Sequence, residues 1–135
     1  MNVPRTHLFI AEDDGQITRA WRRKFAAANI PLFLVTTILE AERIWEAHHP
    51  IIALVAIDGY LEDGATITLI RHTLRPRFEG EIISITSKAD FVKNMLEAGC
   101  DSHLAKNGAE DVLIRMMRRF KRSLSPSPSA MSSAS

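Results

Sequence analysis

Hydrophobic positions along this chain follow two patterns that take turns, short apolar runs and longer stretches with helical spacing. The apolar runs predict β-strands at 8–11, 32–35, 51–57 and 82–85, with a weaker fifth strand at 102–105. The run 51–57 is unbroken, which is typical of a central parallel strand that is covered on both faces. The strand pattern therefore indicates a sheet with a fully buried middle.

A stretch with helical spacing follows each predicted strand. Asp14 and Thr37 are suitable N-caps for the first and second helices, and Gly99 is a suitable stop for the fourth. The third helix is predicted at 64–73, ending near Pro76, and the fifth at about 109–122. The positions expected to face the core are Ile17, Ala20, Trp21, Phe25 and Ala28, then Ile38, Ala41, Trp45 and His48, then Ile67, Ile70 and Leu74, then Phe91, Val92, Met95 and Leu96, and finally Val112, Leu113, Met116, Met117 and Phe120.

Five strand–helix units in alternation predict an α/β fold. The expected architecture is a flavodoxin-like, doubly wound sheet of five parallel strands in the order 2-1-3-4-5, with helices on both faces. One domain over 5–122 suits the length of 135 residues. Residues 123–135 are rich in Ser, Pro and Ala, and we expect them to form a disordered tail.

Composition and charge narrow the setting of the protein. The net charge of +1 is too balanced to argue for a nucleic-acid partner, and no apolar run approaches the ~18 residues that span a bilayer. The N-terminal residues do not resemble a signal peptide. Cys100 is the single cysteine, so no internal disulfide can form, and we expect a reducing, cytoplasmic location.

Polar residues suited to phosphate chemistry follow the predicted strands. Glu12 and Asp13 come directly after the first strand, Asp58 ends the third, Thr86 ends the fourth, and Lys106 follows the fifth. Ligands of an open parallel sheet bind at the carboxyl ends of its strands. In the predicted strand order the first and third strands are neighbours, so we expect Asp13 to lie beside Asp58.

Clustered carboxylates repel one another unless they share a cation. A hard divalent ion such as Mg²⁺, or Mn²⁺, prefers oxygen ligands and can neutralise an incoming phosphoryl group. An Asp carboxylate can attack phosphorus, a Lys ammonium can pair with phosphate, and a Thr hydroxyl can donate to a phosphoryl oxygen. These residue types together predict a site that accepts a phosphoryl group.

Four segments carry a resemblance to a known family: 9–14 (FIAEDD), 55–58 (VAID), 85–87 (ITS) and 98–106 (AGCDSHLAK). Their order and positions resemble those of response regulator receiver domains of the stand-alone, chemotaxis CheY-like kind. The resemblance covers roughly residues 5–122. It implies a single-domain receiver of a two-component phosphorelay.

The resemblance implies a role for Glu12, Asp13 and Asp58, which we call the acid cluster, and for their neighbours. Asp58 would accept the phosphoryl group and also ligate the metal, with Asp13 as a direct ligand. Glu12 would reach the metal through water, and the backbone carbonyl of Tyr60 would be a further ligand. Tyr60 and Lys88 would flank the path of the attacking water, and we hypothesise that Tyr60 slows hydrolysis of the acyl phosphate.

The phosphoryl-binding and switch positions would be Thr86, Lys106 and His103. His103 stands where the family usually has Tyr or Phe, and either an aromatic-like switch or a passive surface residue fits it. Asn107 stands where the family usually has a cis-linked Pro, so we expect a trans bond there. The loop 59–64 is shorter than usual and lacks the customary Pro.

The implied partners are a histidine kinase or a histidine phosphotransfer protein, and an unknown downstream protein, with a homodimer left open. The last helix has four arginines on one face, a partner surface or simply a solvated face: Arg115, Arg118, Arg119 and Arg122. Neither nucleic acid nor a membrane is expected as a partner. The protein would not be an enzyme beyond catalysing its own phosphoryl uptake and hydrolysis. The alternative function is a degenerate receiver that acts as a phosphorylation-independent interaction or scaffold module.

Overall fold

A computed structural model of the protein describes residues 3–124. Five strands form one parallel sheet, and two further strands form a small antiparallel hairpin. The strands are β1 (His7–Ala11), β2 (Leu32–Val35), β3 (Ile52–Ile57), β4 (Tyr60–Leu61), β5 (Gly64–Ala65), β6 (Glu81–Ser84) and β7 (Ser102–His103). The helices are α1 (Gly15–Ala27), α2 (Ile38–His48), α3 (Ile67–Leu69), α4 (Val92–Ala98) and α5 (Ala109–Leu124).

The sheet order is β2-β1-β3-β6-β7, with every pair parallel. This is the predicted order 2-1-3-4-5, because β6 and β7 are the fourth and fifth strands of the main sheet. Every residue of β3 is buried. Val55 and Ile57 belong to one apolar cluster and Leu54 and Ala56 to another. Burial on both faces explains why the run has no polar interruption.

The predicted caps are confirmed. The Asp14 carboxylate accepts hydrogen bonds from the amides of Gln16 (2.9 Å) and Ile17 (3.1 Å), and the Thr37 hydroxyl accepts one from the amide of Glu40 (3.0 Å). Gly99 ends α4 at φ +135°, a conformation that favours glycine. Local side-chain chemistry therefore sets these helix ends.

The predicted helix at 64–73 is wrong at its beginning. Gly64, with φ +137°, and Ala65 form β5, which pairs with β4 (Tyr60–Leu61). The α-helix proper begins only at Ile67, and the chain continues as a π-helical turn at Ile70–Leu74. A second constraint holds this loop away from helical geometry, because the Asp63 carboxylate accepts hydrogen bonds from the first amides of α2. A contact with a distant helix thus overrides the local periodicity.

Several core assignments also differ from the prediction. Ala20 and Leu96 are exposed, whereas Thr18 and Ala98 are buried. In α4 the buried pair is Met95 and Ala98, three residues apart, which turns Leu96 to solvent. Val112, Met116 and Phe120 of α5 are half-buried, and Ile114, which was not predicted, is buried.

Helix α5 continues to Leu124, two residues into the segment predicted to be a tail. The rest of that predicted tail, 125–135, lies outside the described residues. Within residues 3–124, no helix has the length and apolar character needed to cross a membrane.

The Arg75 guanidinium joins three segments at the amino-terminal side of β6. It donates to the carbonyls of Gly99 (3.1 Å), Gly80 (2.9 Å) and Phe78, and it pairs with the Asp101 carboxylate (3.0 Å). Asp101 in turn accepts the amide of Ile82 at 2.8 Å. This network fastens the chain on both sides of β6.

We expect Arg75→Met to lower the free energy of unfolding by about 2–3 kcal/mol, because several hydrogen bonds to a charged group are lost together. Arg77→Met is the matched control, because Arg77 pairs with the exposed carboxylate of Glu46. This substitution should cost less than about 1 kcal/mol. Urea unfolding of both variants measures the difference. Equal losses would contradict the role given to Arg75.

Two histidines flank one phenylalanine at the amino-terminal edge of the sheet. The ring of His7 stacks on Phe33 at 4.6 Å between centroids, and the ring of His48 stacks on Phe33 at 4.8 Å. Burial, and secondarily the charge of His48, lower the pKa of His7. The folded protein therefore binds a proton at His7 less readily than the unfolded chain does.

We expect the contribution of His7 to stability to be complete above about pH 6.5 and to fall as the pH drops below that value. His7→Phe keeps the stacked ring and removes the titration. Its free energy of unfolding should therefore fall less than that of the parent between about pH 7.5 and about pH 5.5. His72→Gln, at an exposed position, controls for the loss of a histidine. An equal fall in parent and His7→Phe would refute the assignment.

Candidate functional site

The carboxyl ends of β1 and β3 bring the predicted acids together. Ala11 and Ile57 are register partners, and the amide of Asp58 donates to the carbonyl of Ala11 at 3.0 Å. The residues that follow these strand ends are therefore neighbours. Carboxylate oxygens of Glu12, Asp13 and Asp58 all lie within 4.8 Å of one another. The expected proximity of Asp13 and Asp58 is confirmed.

Lys106 closes the acid cluster from the side of β7. Its Nζ lies 2.7 Å from Glu12 Oε1 and 2.7 Å from Asp58 Oδ2. The Glu12 side chain is completely buried, and that of Lys106 is 17% exposed. A charged amine this far from water must be paired with acids, and both carboxylates need it in return. Lys106, which follows β7, therefore contacts residues at the carboxyl ends of β1 and β3.

The pKa values reflect a cluster in which three carboxylates face one ammonium. Burial raises the pKa of Glu12, and the charge of Asp58 adds to that rise, against the lowering effect of the adjacent Lys106 ammonium and of the hydrogen bond from the Asp14 amide. Burial alone would lower the pKa of Lys106, but its hydrogen bond to Asp58 and its ion pair with Glu12 together raise it. Lys106 is thus held in its charged form, and negative charge remains in excess.

The donor set fits a hard divalent cation. All three acidic side chains offer oxygen, the ligand atom that Mg²⁺ and Mn²⁺ prefer. Glu12 Oε1 is buried and, among the described residues, has an ion pair with Lys106 but no hydrogen bond of proper geometry. The other oxygen of the Glu12 carboxylate, Oε2, accepts a hydrogen bond from the amide of Asp14 at 3.1 Å. A buried, under-satisfied oxygen with excess negative charge around it is what a cation would complete.

The hairpin after Asp58 leaves the carbonyl of Tyr60 available. The amide of Thr66 donates to the carbonyl of Gly59 at 2.9 Å, which makes Gly59–Thr66 a hydrogen-bonded pair. In an antiparallel ladder the hydrogen-bonded pairs alternate with non-bonded pairs, and Tyr60 faces Ala65 in the position between. Its carbonyl therefore points away from the partner strand.

Thr66 supports the backbone of Asp58, a contact that the sequence did not indicate. Its buried hydroxyl donates to the backbone carbonyl of Asp58 at 2.6 Å. The Asp58 side chain, 12% exposed, accepts the amide of Gly59 on Oδ1 at 2.7 Å and Lys106 on Oδ2. Thr66 was missed because the periodicity placed it inside a helix. A threonine close to the acidic residues 62–63 was the available signal.

Thr86 is buried just beyond β6 and belongs to a chain of hydrogen bonds. The amide of Lys88 donates to Thr86 Oγ1 at 3.2 Å. The amide of Thr86 donates to Ser84 Oγ at 3.4 Å, and His103 Nδ1 lies 3.1 Å from the same hydroxyl. Ser84, which was not predicted, therefore connects Thr86 to the half-buried His103.

Two further predictions concern the peptide bond before Asn107 and the arginines of α5. The described chain contains no cis peptide bond, so the bond between Lys106 and Asn107 is trans, as predicted. The four arginines predicted as a partner surface are exposed on α5: Arg115, Arg118, Arg119 and Arg122. None of them reaches the buried acids, which pair with Lys106.

Comparison with known proteins gives fold relatives only. No protein-family model matches the chain, and no curated protein sequence matches it. Solved structures do match over most of both chains. A two-component response regulator from Clostridium difficile superposes with a TM-score of 0.73 at 20% identity, covering 90% of this chain and 99% of that one.

Two further solved structures, both of receiver domains, also superpose on this chain. The receiver domain of the Francisella response regulator 1452 has a TM-score of 0.70 at 20% identity, covering 87% of this chain and 98% of that one. The activated receiver domain of RstA from Klebsiella pneumoniae has a TM-score of 0.69 at 23% identity, covering 86% and 98%. The chain therefore has the flavodoxin-like fold of two-component response regulator receiver domains.

Proposed function

We propose that this protein is a single-domain response regulator receiver that accepts a phosphoryl group on Asp58. The observation that carries the proposal is the ion pairing of one buried lysine with both Glu12 and Asp58 beside Asp13, at the strand ends of a receiver fold. A structural ion pair needs one carboxylate. Three clustered carboxylates around one lysine cost folding free energy and are typical of a functional site.

The proposed reaction is a transfer of one phosphoryl group. A carboxylate oxygen of Asp58 attacks phosphorus, and the bond between phosphorus and the donor atom breaks. That atom is the imidazole nitrogen of a phosphohistidine, or the acetate oxygen of acetyl phosphate. The donor leaves with the bonding electrons, and an acyl phosphate remains on Asp58.

The side chains around Asp58 have distinct tasks in this reaction. Lys106, now paired with Asp58 Oδ2, would move its charge to the arriving phosphoryl oxygens. The Thr86 hydroxyl would donate to another of those oxygens. Asp13 and Asp58 would hold Mg²⁺ or Mn²⁺ directly, with the Tyr60 carbonyl, and Glu12 would act through water. The bound metal would supply neutralisation of charge on the transferring group.

The link from Thr86 through Ser84 to His103 suits an output step. If Thr86 shifts towards a phosphoryl group, the amide that contacts Ser84 Oγ shifts with it. The half-buried His103 contacts the same hydroxyl, so the position of its ring at the surface would change as well. This arrangement would convert phosphorylation into a population shift at β7.

A groove of about 430 Å³ beside Lys106 suits the approach of a phosphodonor protein. Ile17 and Ala20 of α1 form its apolar wall, and Asn107 and Gly108 form the wall next to the site. A histidine kinase or a histidine phosphotransfer protein would dock there. The arginines of α5 would bind an acidic surface on a downstream protein or on a second copy of the chain.

The second candidate function is an interaction module that phosphate does not switch. The observation in its favour is that the Lys106 ammonium pairs with both Asp58 and Glu12. In that case the pairing would be structural, and neither Mg²⁺ nor a phosphodonor would alter it.

We expect the protein to gain one phosphoryl group from acetyl phosphate in the presence of Mg²⁺, measured by intact mass. The gain should be absent in Asp58→Asn, which keeps the size of the side chain and removes the nucleophile. Asp90→Asn, an exposed acid near α4, is the matched control and should label like the parent. Equal labelling of Asp58→Asn, or none in the parent, would reject the proposed function.

We expect Lys106→Met to lower the free energy of unfolding by about 3 kcal/mol in the absence of a divalent cation. This value lies at the low end for a broken buried ion pair, because Glu12 can take up a proton instead. Mg²⁺ should stabilise Lys106→Met more than the parent, since no ammonium competes for the same oxygens. Thermal unfolding with and without Mg²⁺ measures both effects.

Lys24→Met is the control for that experiment, since Lys24 pairs with the exposed carboxylate of Asp111. It should respond to Mg²⁺ as the parent does. An identical Mg²⁺ response of Lys106→Met and the parent would show that the acid cluster does not hold the metal.

A further inference from the structure

Three side chains from two loops pack together next to the acceptor. Tyr60, two residues after Asp58, lies with its ring 4.9 Å from that of Phe91. The Nζ of Lys88 lies 4.3 Å from the centroid of the Tyr60 ring, within range of a cation–π interaction. Tyr60 is 40% exposed. We name this group the Tyr60–Phe91–Lys88 cluster.

Gly59 provides the space that Phe91 occupies. A Cβ atom added at Gly59 would lie 2.6 Å from Cδ2 of Phe91 and 3.2 Å from Oγ1 of Thr86. A side chain at 59 would therefore displace the Phe91 ring. Gly59 is also the residue whose amide contacts Asp58 Oδ1. The ring of Phe91 thus lies against the backbone that immediately follows the acceptor.

The cluster is tied to Thr86 through the backbone. The amide of Phe91 donates to the carbonyl of Lys88 at 2.9 Å, and the amide of Lys88 donates to Thr86 Oγ1. Phe91 therefore stands at the end of a turn whose first contact is the hydroxyl of Thr86. The loop after β6 and the loop after β3 meet in one aromatic contact.

We propose that Phe91 is a positioning residue that holds Tyr60 and Lys88 beside Asp58 and so lengthens the life of the acyl phosphate. This inference rests on the proposed function. Hydrolysis needs the oxygen of a water molecule to attack phosphorus as the bond to Asp58 breaks, giving inorganic phosphate, a proton and the carboxylate. An ordered aromatic side chain beside the phosphoryl group reduces the approach of that water.

Phe91 is the member of the cluster that makes this possible. A tyrosine on the surface has many rotamers, and holding it in one costs conformational entropy. The ring contact with Phe91 offsets that cost, because offset and tilted aromatic pairs attract beyond their buried area. Without Phe91, Tyr60 would keep Lys88 as its neighbour on the ring face and would sample open positions.

The decay of the acyl phosphate tests the proposal with four proteins: the parent, Tyr60→Ala, Phe91→Ala and the double variant. Each is labelled with acetyl phosphate and Mg²⁺, the donor is removed, and loss of the phosphoryl group is followed by intact mass. We expect each single variant to lose phosphate about two- to tenfold faster, the factor that corresponds to one aromatic contact. The double variant should decay no faster than Tyr60→Ala, because both substitutions remove one arrangement.

Further variants separate positioning from a general structural effect. Phe91→Tyr keeps the ring and should keep the parent decay rate, whereas Phe91→Leu keeps apolar volume, guards against misfolding and should decay fast. Leu96→Ala removes an exposed apolar side chain from α4, the helix that follows Phe91, and should leave the rate unchanged. A parent rate in Phe91→Ala and Phe91→Leu, or additive effects in the double variant, would overturn the proposal.

A second readout does not depend on phosphorylation. Tyr60 is the single tyrosine of the sequence, so its nitration by tetranitromethane reports the exposure of one known ring. We expect nitration to be about two- to tenfold faster in Phe91→Ala than in the parent and unchanged in Leu96→Ala. A parent that takes up no phosphoryl group would reject the proposed function. Equal nitration in Phe91→Ala and the parent would reject the positioning role on its own.

Discussion

The Lys106 ammonium lies 2.7 Å from two buried carboxylate oxygens, and much of the structure is arranged around that contact. Glu12 has no exposed surface, so its charge can be buried only with a partner. The partner comes from the far end of the chain, after β7. Three strand ends must therefore meet for the charges to be compensated, which makes the sheet order and the site a single constraint.

The register of the sheet delivers this geometry. The pairing of Ala11 with Ile57 sets Glu12 beside Asp58, and the pairing of Ser84 with His103 places Lys106 near both. A slip of one residue in β3 would turn Asp58 to the opposite face. The apolar layers on both sides of β3 oppose such a slip, because every one of its residues is buried. Core packing therefore holds Asp58 in position.

The loop after Asp58 is fixed from two directions. Asp63 binds the first amides of α2, which lowers the pKa of that carboxyl, and Thr66 binds the backbone of Asp58 from behind. On the other side, Phe91 fills the space above Gly59 and contacts Tyr60. Asp58 thus lies between the Thr66 contact and an aromatic contact from the loop that also carries Thr86. One turn of backbone joins Thr86 to that contact.

Three features could be predicted from the sequence: the alternation of strands and helices, the caps at Asp14 and Thr37, and the acids at the strand ends. Each of them depends on near neighbours or on burial of a continuous run. The strand order 2-1-3-4-5 was expected from the flavodoxin-like arrangement, and it is the order observed. The hairpin at Tyr60–Ala65, the late start of α3 and the roles of Thr66, Ser84 and Phe91 were decided by the tertiary structure. Each depends on a contact between residues far apart in the chain, and such contacts leave no periodic trace that local propensity could register.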